Sequence, residues 1–247
     1  MRRVVLHLAC AAVLSPLASL ALAEAPHWGY DGDESPADWG RLAPEYALCA
    51  QGKNQSPVNI DGVADAKLPT LKFEYTTSIT DVINNGHTIQ ANFAPGSFLT
   101  VGTRKFQLVQ IHFHTPSENL VTGKQYPLEG HLVHQDAGGA LAVVAVLFES
   151  GADQFAISQL WHQMPEHAGD SIPFGGTLTA MAFLPAHHDY YYFSGSLTTP
   201  PCSEGVSWMV LKQPVKVGDA QVRQFSAVMH HPNNRPVQPL NARIVVD

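Results

Sequence analysis

His112 and His114 stand one residue apart in Gln110-Ile111-His112-Phe113-His114, and a third histidine follows at His131 in Leu128-Glu129-Gly130-His131-Leu132-Val133. In an extended strand, residues two apart point to the same face. His112 and His114 would therefore aim their imidazoles side by side, and a neighbouring strand carrying His131 could add a third. Three neutral nitrogens on a rigid sheet, with one tetrahedral position left open, are what a catalytic zinc site requires.

The neighbours sharpen this expectation. Strand periodicity puts Gln110 on the face of His112 and His114, and puts Glu129 and Val133 on the face of His131. A metal-bound histidine needs an oxygen acceptor for its second ring N–H, which fixes tautomer and orientation. Gln110 and Glu129 can supply it, each two residues before a ligand. A bare His-x-His is more often two exposed histidines on a sheet rim. Polar partners at the same offset on both segments favour metal.

Elements able to hold such residues are plentiful. Strand-like segments are Leu71-Glu74, Thr88-Phe93, Phe106-Phe113, Gly130-His134, Leu141-Glu149 and Val206-Leu211, separated by Gly and Pro clusters. Leu141 to Phe148 is a continuous apolar run, as expected of a central strand buried on both faces. Helix signals are few: Ala152 to Met164, with Asp153 as N-cap, and Asp219 to His230. No internal repeat or linker divides the chain. The expected class is mainly β, one domain with short peripheral helices. His134 falls on the face opposite His131 and reads as a structural residue, and the pairs His187-His188 and His230-His231 read as solvated loops.

Composition limits the partners. The formal net charge is −7 and there is no basic run, which argues against nucleic acid or an anionic membrane surface. Residues 1–23 read as a secretory signal: Arg2 and Arg3, an apolar stretch from Val4 to Leu22, and small residues at Ala21 and Ala23. His7 and Pro16 interrupt the stretch, which weighs against a retained membrane anchor, and the apolar run before Cys10 is short for a lipoprotein signal. Cleavage after Ala23 leaves residues 24–247 and, with Arg2 and Arg3 gone, takes the net charge from −7 to −9. Two cysteines then remain, Cys49 and Cys202. In an oxidising compartment they read as one disulfide, with two buried thiols as the alternative.

Further blocks run in order along the chain: His27-Trp28-Gly29-Tyr30, Asn54-Gln55-Ser56-Pro57-Val58-Asn59-Ile60, Asn84-Asn85-Gly86-His87, Tyr192 to Cys202, and Asn234-Arg235-Pro236-Val237-Gln238-Pro239-Leu240. With the histidine segments, they make the chain resemble the α-class carbonic anhydrases from about residue 27 to 240. The resemblance implies a domain around a large, twisted, mostly antiparallel central sheet. It implies one zinc ion per chain on His112, His114 and His131, and reversible hydration of carbon dioxide to bicarbonate and a proton through zinc-bound hydroxide. Thr198 matches the family's gatekeeper and Glu118 the carboxylate behind it. Val133, Val143, Leu197, Val206 and Trp208 match the apolar wall that holds carbon dioxide, and Thr199 a polar residue beside the product. His87 matches the proton shuttle, for which an ordinary histidine pKa of about 6.5 would serve. Sensitivity to primary sulfonamides, a periplasmic location of the bacterial kind and a homodimer are consistent with the same likeness. Two other classes compete with this reading: a catalytically silent binding module, which loss of a ligand would favour, and a periplasmic zinc buffer, which an exposed His-rich tract would favour. Two departures stand out: Gln90, where many animal members carry asparagine, and the short segment Gln135 to Ala140 after His134.

Overall fold

The apolar run from Leu141 to Phe148 forms the middle of the molecule: Ala142 to Phe148 are all buried in a computed structural model that describes residues 26–247. The expected signal segment, residues 1–23, and Cys10 lie outside the described residues. In chain order the strands are β1 (Asn59–Ile60), β2 (Leu71–Glu74), β3 (Ile79–Asn84), β4 (Ile89–Phe93), β5 (Phe98–Val101), β6 (Arg104–His114), β7 (Leu120–Val121), β8 (Leu128–Gln135), β9 (Leu141–Ser150), β10 (Ser171–Pro173), β11 (Tyr190–Ser196), β12 (Glu204–Leu211) and β13 (Val215–Val217). Eleven of them make one sheet in the order β10-β3-β4-β6-β8-β9-β12-β11, with β5 and then β2 beyond β6, and β13 beside β9. Most pairs are antiparallel. The exceptions are β12 and β13, both parallel to β9, so the sheet is mixed at its centre. A strand with parallel neighbours is covered on both faces, which is why β9 is apolar without alternation.

Helices are α1 (Trp39–Leu42), α2 (Leu48–Gln51), α3 (Phe155–Trp161) and α4 (Asp219–Met229). The α3 helix is shorter than the expected span from Ala152 to Met164, and its N-cap is Gln154 rather than Asp153: the Gln154 Oε1 accepts from the Ile157 N–H at 2.8 Å. Gln154 is recruited by tertiary contacts, its own N–H donating to Gln221 on α4 at 2.9 Å. The α4 helix ends one residue early because His230 turns left-handed, with φ 64°. Among the described residues, no helix is long and apolar enough to cross a membrane.

One face of the sheet carries the larger core. Phe106, Leu108, Ile111 and Phe113 of β6 all belong to it. Strict alternation would separate Leu108 from Ile111. A register shift between Leu108 and Gln110 inserts Val109 as an extra, exposed residue and re-phases the strand. The opposite face therefore begins at Gln110 and continues with His112 and His114.

Cys49 of α2 and Cys202, just before β12, form a disulfide across 153 residues of sequence. It packs with Trp39, Ala43 and Tyr46 in a small separate core. On the other side of the sheet from the histidine face, His134 is wholly buried. Its Nε2 accepts from the Tyr75 hydroxyl at 2.6 Å and its Nδ1–H donates to the Ala142 carbonyl at 3.2 Å.

Two outcomes are expected of these features. The double substitution Cys49→Ser/Cys202→Ser should lower stability by up to about 5 kcal/mol, the chain-entropy limit for so long a loop; urea unfolding of the two proteins at equal m-value measures it. The second concerns acid. Burial lowers the His134 pKa from 6.5 to about 4. Its stabilising neutral form is intact above pH 6.5 and lost as pH falls through 4, a swing of about 3 kcal/mol. Unfolding free energy measured across that range should fall less steeply in His134→Gln than in the parent.

Candidate metal centre

Register brings the three histidines together. His112 on β6 lies directly opposite His131 on β8, and His114 follows two residues later on the same face. Their ring centroids are 5.0 Å (His112–His114), 5.1 Å (His112–His131) and 4.6 Å (His114–His131) apart. One nitrogen from each converges, all within 4.8 Å of one another. The second nitrogens are spoken for. His112 Nδ1 donates to Gln110 Oε1 at 2.9 Å, His131 Nε2 to Glu129 Oε1 at 3.0 Å, and His114 Nδ1 to the Asn233 carbonyl at 2.7 Å. Each acceptor fixes a tautomer, so the nitrogens left as ligands are His112 Nε2, His114 Nε2 and His131 Nδ1.

These atoms suit a dication. His114 Nε2 is buried without a hydrogen-bond partner, and such an orphan calls for an explanation. Burial, then repulsion among the rings, holds His112 and His131 well below the usual histidine range; His114 is lowered too, by burial. All three are therefore neutral near pH 7 and present lone pairs. Three imidazoles with a fourth direction open to a cleft match zinc in a catalytic setting.

Glu129 is the support behind the site. Besides His131, its carboxylate accepts from the backbone N–H groups of Glu118 and Asn119, each at 2.8 Å, and from Asn119 Nδ2 at 2.6 Å. That places Glu118, whose oxygens lie 3.6 Å from His114 Nδ1 and 4.0 Å from His131 Nδ1. Burial pushes the Glu118 carboxyl up to about 8, opposed by the Arg235 N–H, which donates to Oε1 at 2.8 Å, and by Thr198. A dication on the histidines would act in the same sense as these donors and favour the carboxylate. The buried Thr198 hydroxyl stands within reach of Glu118, though Glu118 Oε2 completes no hydrogen bond of ordinary geometry.

The apolar wall is assembled from one transverse row of the sheet. Phe193, Trp208, Val143, Val133 and Gln110 are successive register partners across β11, β12, β9, β8 and β6. Val206 and Leu197 pack in the same cluster, and the Trp208 edge meets the His131 ring at 4.9 Å. Thr199 lines the cleft with Gln90, Gln110, His112 and His114. Gln90 turns its Nε2 to Asn92 Oδ1, 2.7 Å away.

His87 sits at the cleft mouth, but not in the environment expected. Its ring stacks on Trp28 at 3.7 Å between centroids, 10° from parallel. Burial against the indole, with His27 and His231 nearby, lowers its pKa from 6.5 to about 4. His231 is correspondingly more than a solvated loop residue, being half-buried with its ring 6.0 Å from Tyr30. Asn233 carries no motif signal of its own, yet its carbonyl orients His114 and its Nδ2 donates to the His87 carbonyl at 3.0 Å.

Comparison with known proteins agrees with this geometry. The sequence profile of the eukaryotic-type carbonic anhydrases matches residues 34–247. The chain belongs to the α-carbonic anhydrase family. It is 47% identical to a carbonic anhydrase of Pectobacterium atrosepticum, over 96% of this chain and 97% of that one. Against a carbonic anhydrase of Neisseria gonorrhoeae the identity is also 47%, over 98% and 95% of the two chains. The α-carbonic anhydrase of Thermovibrio ammonificans, solved with the inhibitor sulfanilamide, superposes with a TM-score of 0.89 at 44% identity, covering 91% of this chain and 100% of that one. As a member of the family, the chain is an enzyme interconverting carbon dioxide and bicarbonate, with water as co-substrate.

Because Glu129 supports both a ligand and the Glu118 backbone, Glu129→Gln should weaken zinc binding about 10- to 100-fold. Competition with a chromogenic chelator reads this directly.

Proposed function

We propose that this chain is an exported zinc carbonic anhydrase in which His112, His114 and His131 hold one zinc ion, Thr198 and Glu118 orient the nucleophile, and His87 carries the proton outward. The observation that carries this reading is the set of three buried, neutral imidazoles whose second nitrogens are all tied to oxygen acceptors. When bound, zinc supplies a Lewis acid that makes hydroxide available near neutral pH, a bound-water pKa of about 7 being the reference value for carbonic anhydrases as a class and not one read from this chain.

The protein's part is orientation and exclusion. An ionised Glu118 accepts hydrogen bonds only, so the Thr198 hydroxyl donates to it and keeps its oxygen lone pairs for a hydrogen on the nucleophile. That contact turns the nucleophile's own lone pair toward the wall formed by Val143, Val206, Leu197, Trp208 and Val133. Carbon dioxide is apolar and is favoured by such a surface over water. Thr199, which lines the cleft beside His112 and His114, offers a hydroxyl to the polar, anionic product. Export from the cytoplasm is supported by the basic-then-apolar start of the sequence and by the disulfide, and a periplasmic destination by the bacterial relatives.

Hydrogen-bond direction predicts inhibitor selectivity. Thr198, having given its proton to Glu118, favours an anion that still bears hydrogen. A primary sulfonamide meets that demand after losing one proton, and sulfanilamide, the inhibitor in the Thermovibrio structure, is of this type. Thr198→Ala should weaken primary sulfonamides by about 1.5–3 kcal/mol and slow carbon dioxide hydration as well. Calorimetry with a primary and an N,N-disubstituted sulfonamide tests it; equal affinity of the parent enzyme for both would refute the gate.

A further inference from the structure

The transverse row that forms the apolar wall does not stop at Gln110. It continues across two more strands, with Asn92 of β4 opposite Gln110 and Asp81 of β3 opposite Asn92. Apolar from Phe193 to Val133, the row is polar from Gln110 to a carboxylate at its outer end. Gln90, two residues before Asn92 on β4, shares its face and lines the cleft with Gln110. Asn92 and Asp81 stand behind these glutamines, beyond the cleft lining.

Hydrogen bonds join the polar residues into a directed chain. Asn92 Nδ2 donates to Asp81 Oδ2 at 2.7 Å, and Gln90 Nε2 donates to Asn92 Oδ1 at 2.7 Å. The other Asp81 oxygen, Oδ1, accepts from the Thr80 hydroxyl at 2.6 Å. An ionised carboxylate only accepts, so the Asn92 amide has to turn its NH2 toward Asp81. Its carbonyl is then the side left for Gln90, which must in turn give its own NH2 to Asn92 and keep Oε1 for the cleft. One charge outside the cleft thereby sorts two amides that could otherwise face either way. Gln110 is sorted in the opposite sense. Its Oε1 accepts from His112 Nδ1 at 2.9 Å, which leaves Nε2 as a donor.

We propose that Asp81 is a positioning residue that, through Asn92, fixes the free atom of Gln90 as a hydrogen-bond acceptor beside the donor of Gln110. The inference deepens the reading of the cleft as a zinc site that binds sulfonamides, and rests on it for its ligand test. An acceptor and a donor on strands about 4.8 Å apart select a ligand group that carries the converse pair. A primary carboxamide is of this class: its N–H donates to Gln90 Oε1 while its carbonyl accepts from Gln110 Nε2. An N,N-dimethylcarboxamide keeps the second bond and leaves Gln90 Oε1 unpaired, which weakens binding.

Matched benzenesulfonamides bearing one or the other amide, titrated calorimetrically into the zinc protein, read this polarity. The parent should favour the primary amide about 3- to 10-fold. Asp81→Asn releases the chain, since an amide can donate or accept, and should lower that ratio toward one. Asp81→Lys, which can only donate, turns both amides over and should bring the ratio to one or below. The exchanged pair Asp81→Asn/Asn92→Asp places the carboxylate directly beside Gln90 and should restore the parent ratio. A merely loosened strand would weaken both ligands alike and would not be rescued by this pair. A ratio near one in the parent, or an unchanged ratio in both Asp81→Asn and Asp81→Lys, would overturn the proposal. If neither ligand bound the parent, the zinc-site reading would fall by itself. Proton exchange of the Gln90 side-chain amide, slow in the parent and faster in Asp81→Asn, then still decides the role of Asp81, and equal exchange rates would overturn it.

Discussion

Everything at the metal centre depends on keeping three imidazoles neutral, adjacent and turned the right way in a buried place. Burial is the main source of the first condition, because a charged ring loses too much solvation there, and repulsion among the rings adds to it. Adjacency comes from register, with His112 opposite His131. Orientation comes from three oxygen acceptors, and these have three different origins: a side chain on the same strand, a carboxylate two residues away, and a backbone carbonyl from near the chain's end. A single slip of β6 against β8 would turn the ligands to the opposite face.

The bulge at Val109 and the carboxylate of Glu129 are the two devices that make this work. The bulge lets one strand serve a core on one face and a polar cleft on the other without sacrificing either. Glu129 is fully buried and would be costly unpaired, but its oxygens accept from two backbone N–H groups, an amide and an imidazole. In this way His131, the backbone of Glu118 and the loop around Asn119 share one anchor. Arg235 performs a similar service, its guanidinium donating to Gln55, Ser56 and Cys49 while its backbone N–H reaches Glu118.

The inner features of the site were legible in the sequence because they are periodic or local. Gln110, His112 and His114 alternate along a strand, Glu129 precedes His131 by two, and the apolar run of β9 announces a central strand. The wall residues were assigned by family likeness; the sheet places Trp208, Val143 and Val133 in one row, with Val206 and Leu197 packed in the same cluster. Other features depended on distant partners. Asn233 acts through its carbonyl, which every residue possesses, so no side-chain pattern could mark it. The start of α3 is set by Gln221, 67 residues away. Strict alternation would have put Leu108 on the cleft face, and only the pairing with β8 reveals the extra residue. The environment of His87 was likewise hidden, since it comes from stacking on a residue 59 positions earlier in the chain.

The dependence of His114 on Asn233 also sets an order of events during synthesis. The three histidines all lie in the first 131 residues, and the hairpin that aligns His112 with His131 closes over a short stretch of chain. The acceptor for His114 and the Arg235 N–H for Glu118 come only with residues 233 to 235, about a hundred residues after His131. A growing polypeptide thus has its three imidazoles long before it has the means to aim them all. Completion of the candidate metal centre is a late event, because it waits on a segment far along the chain from the histidines themselves.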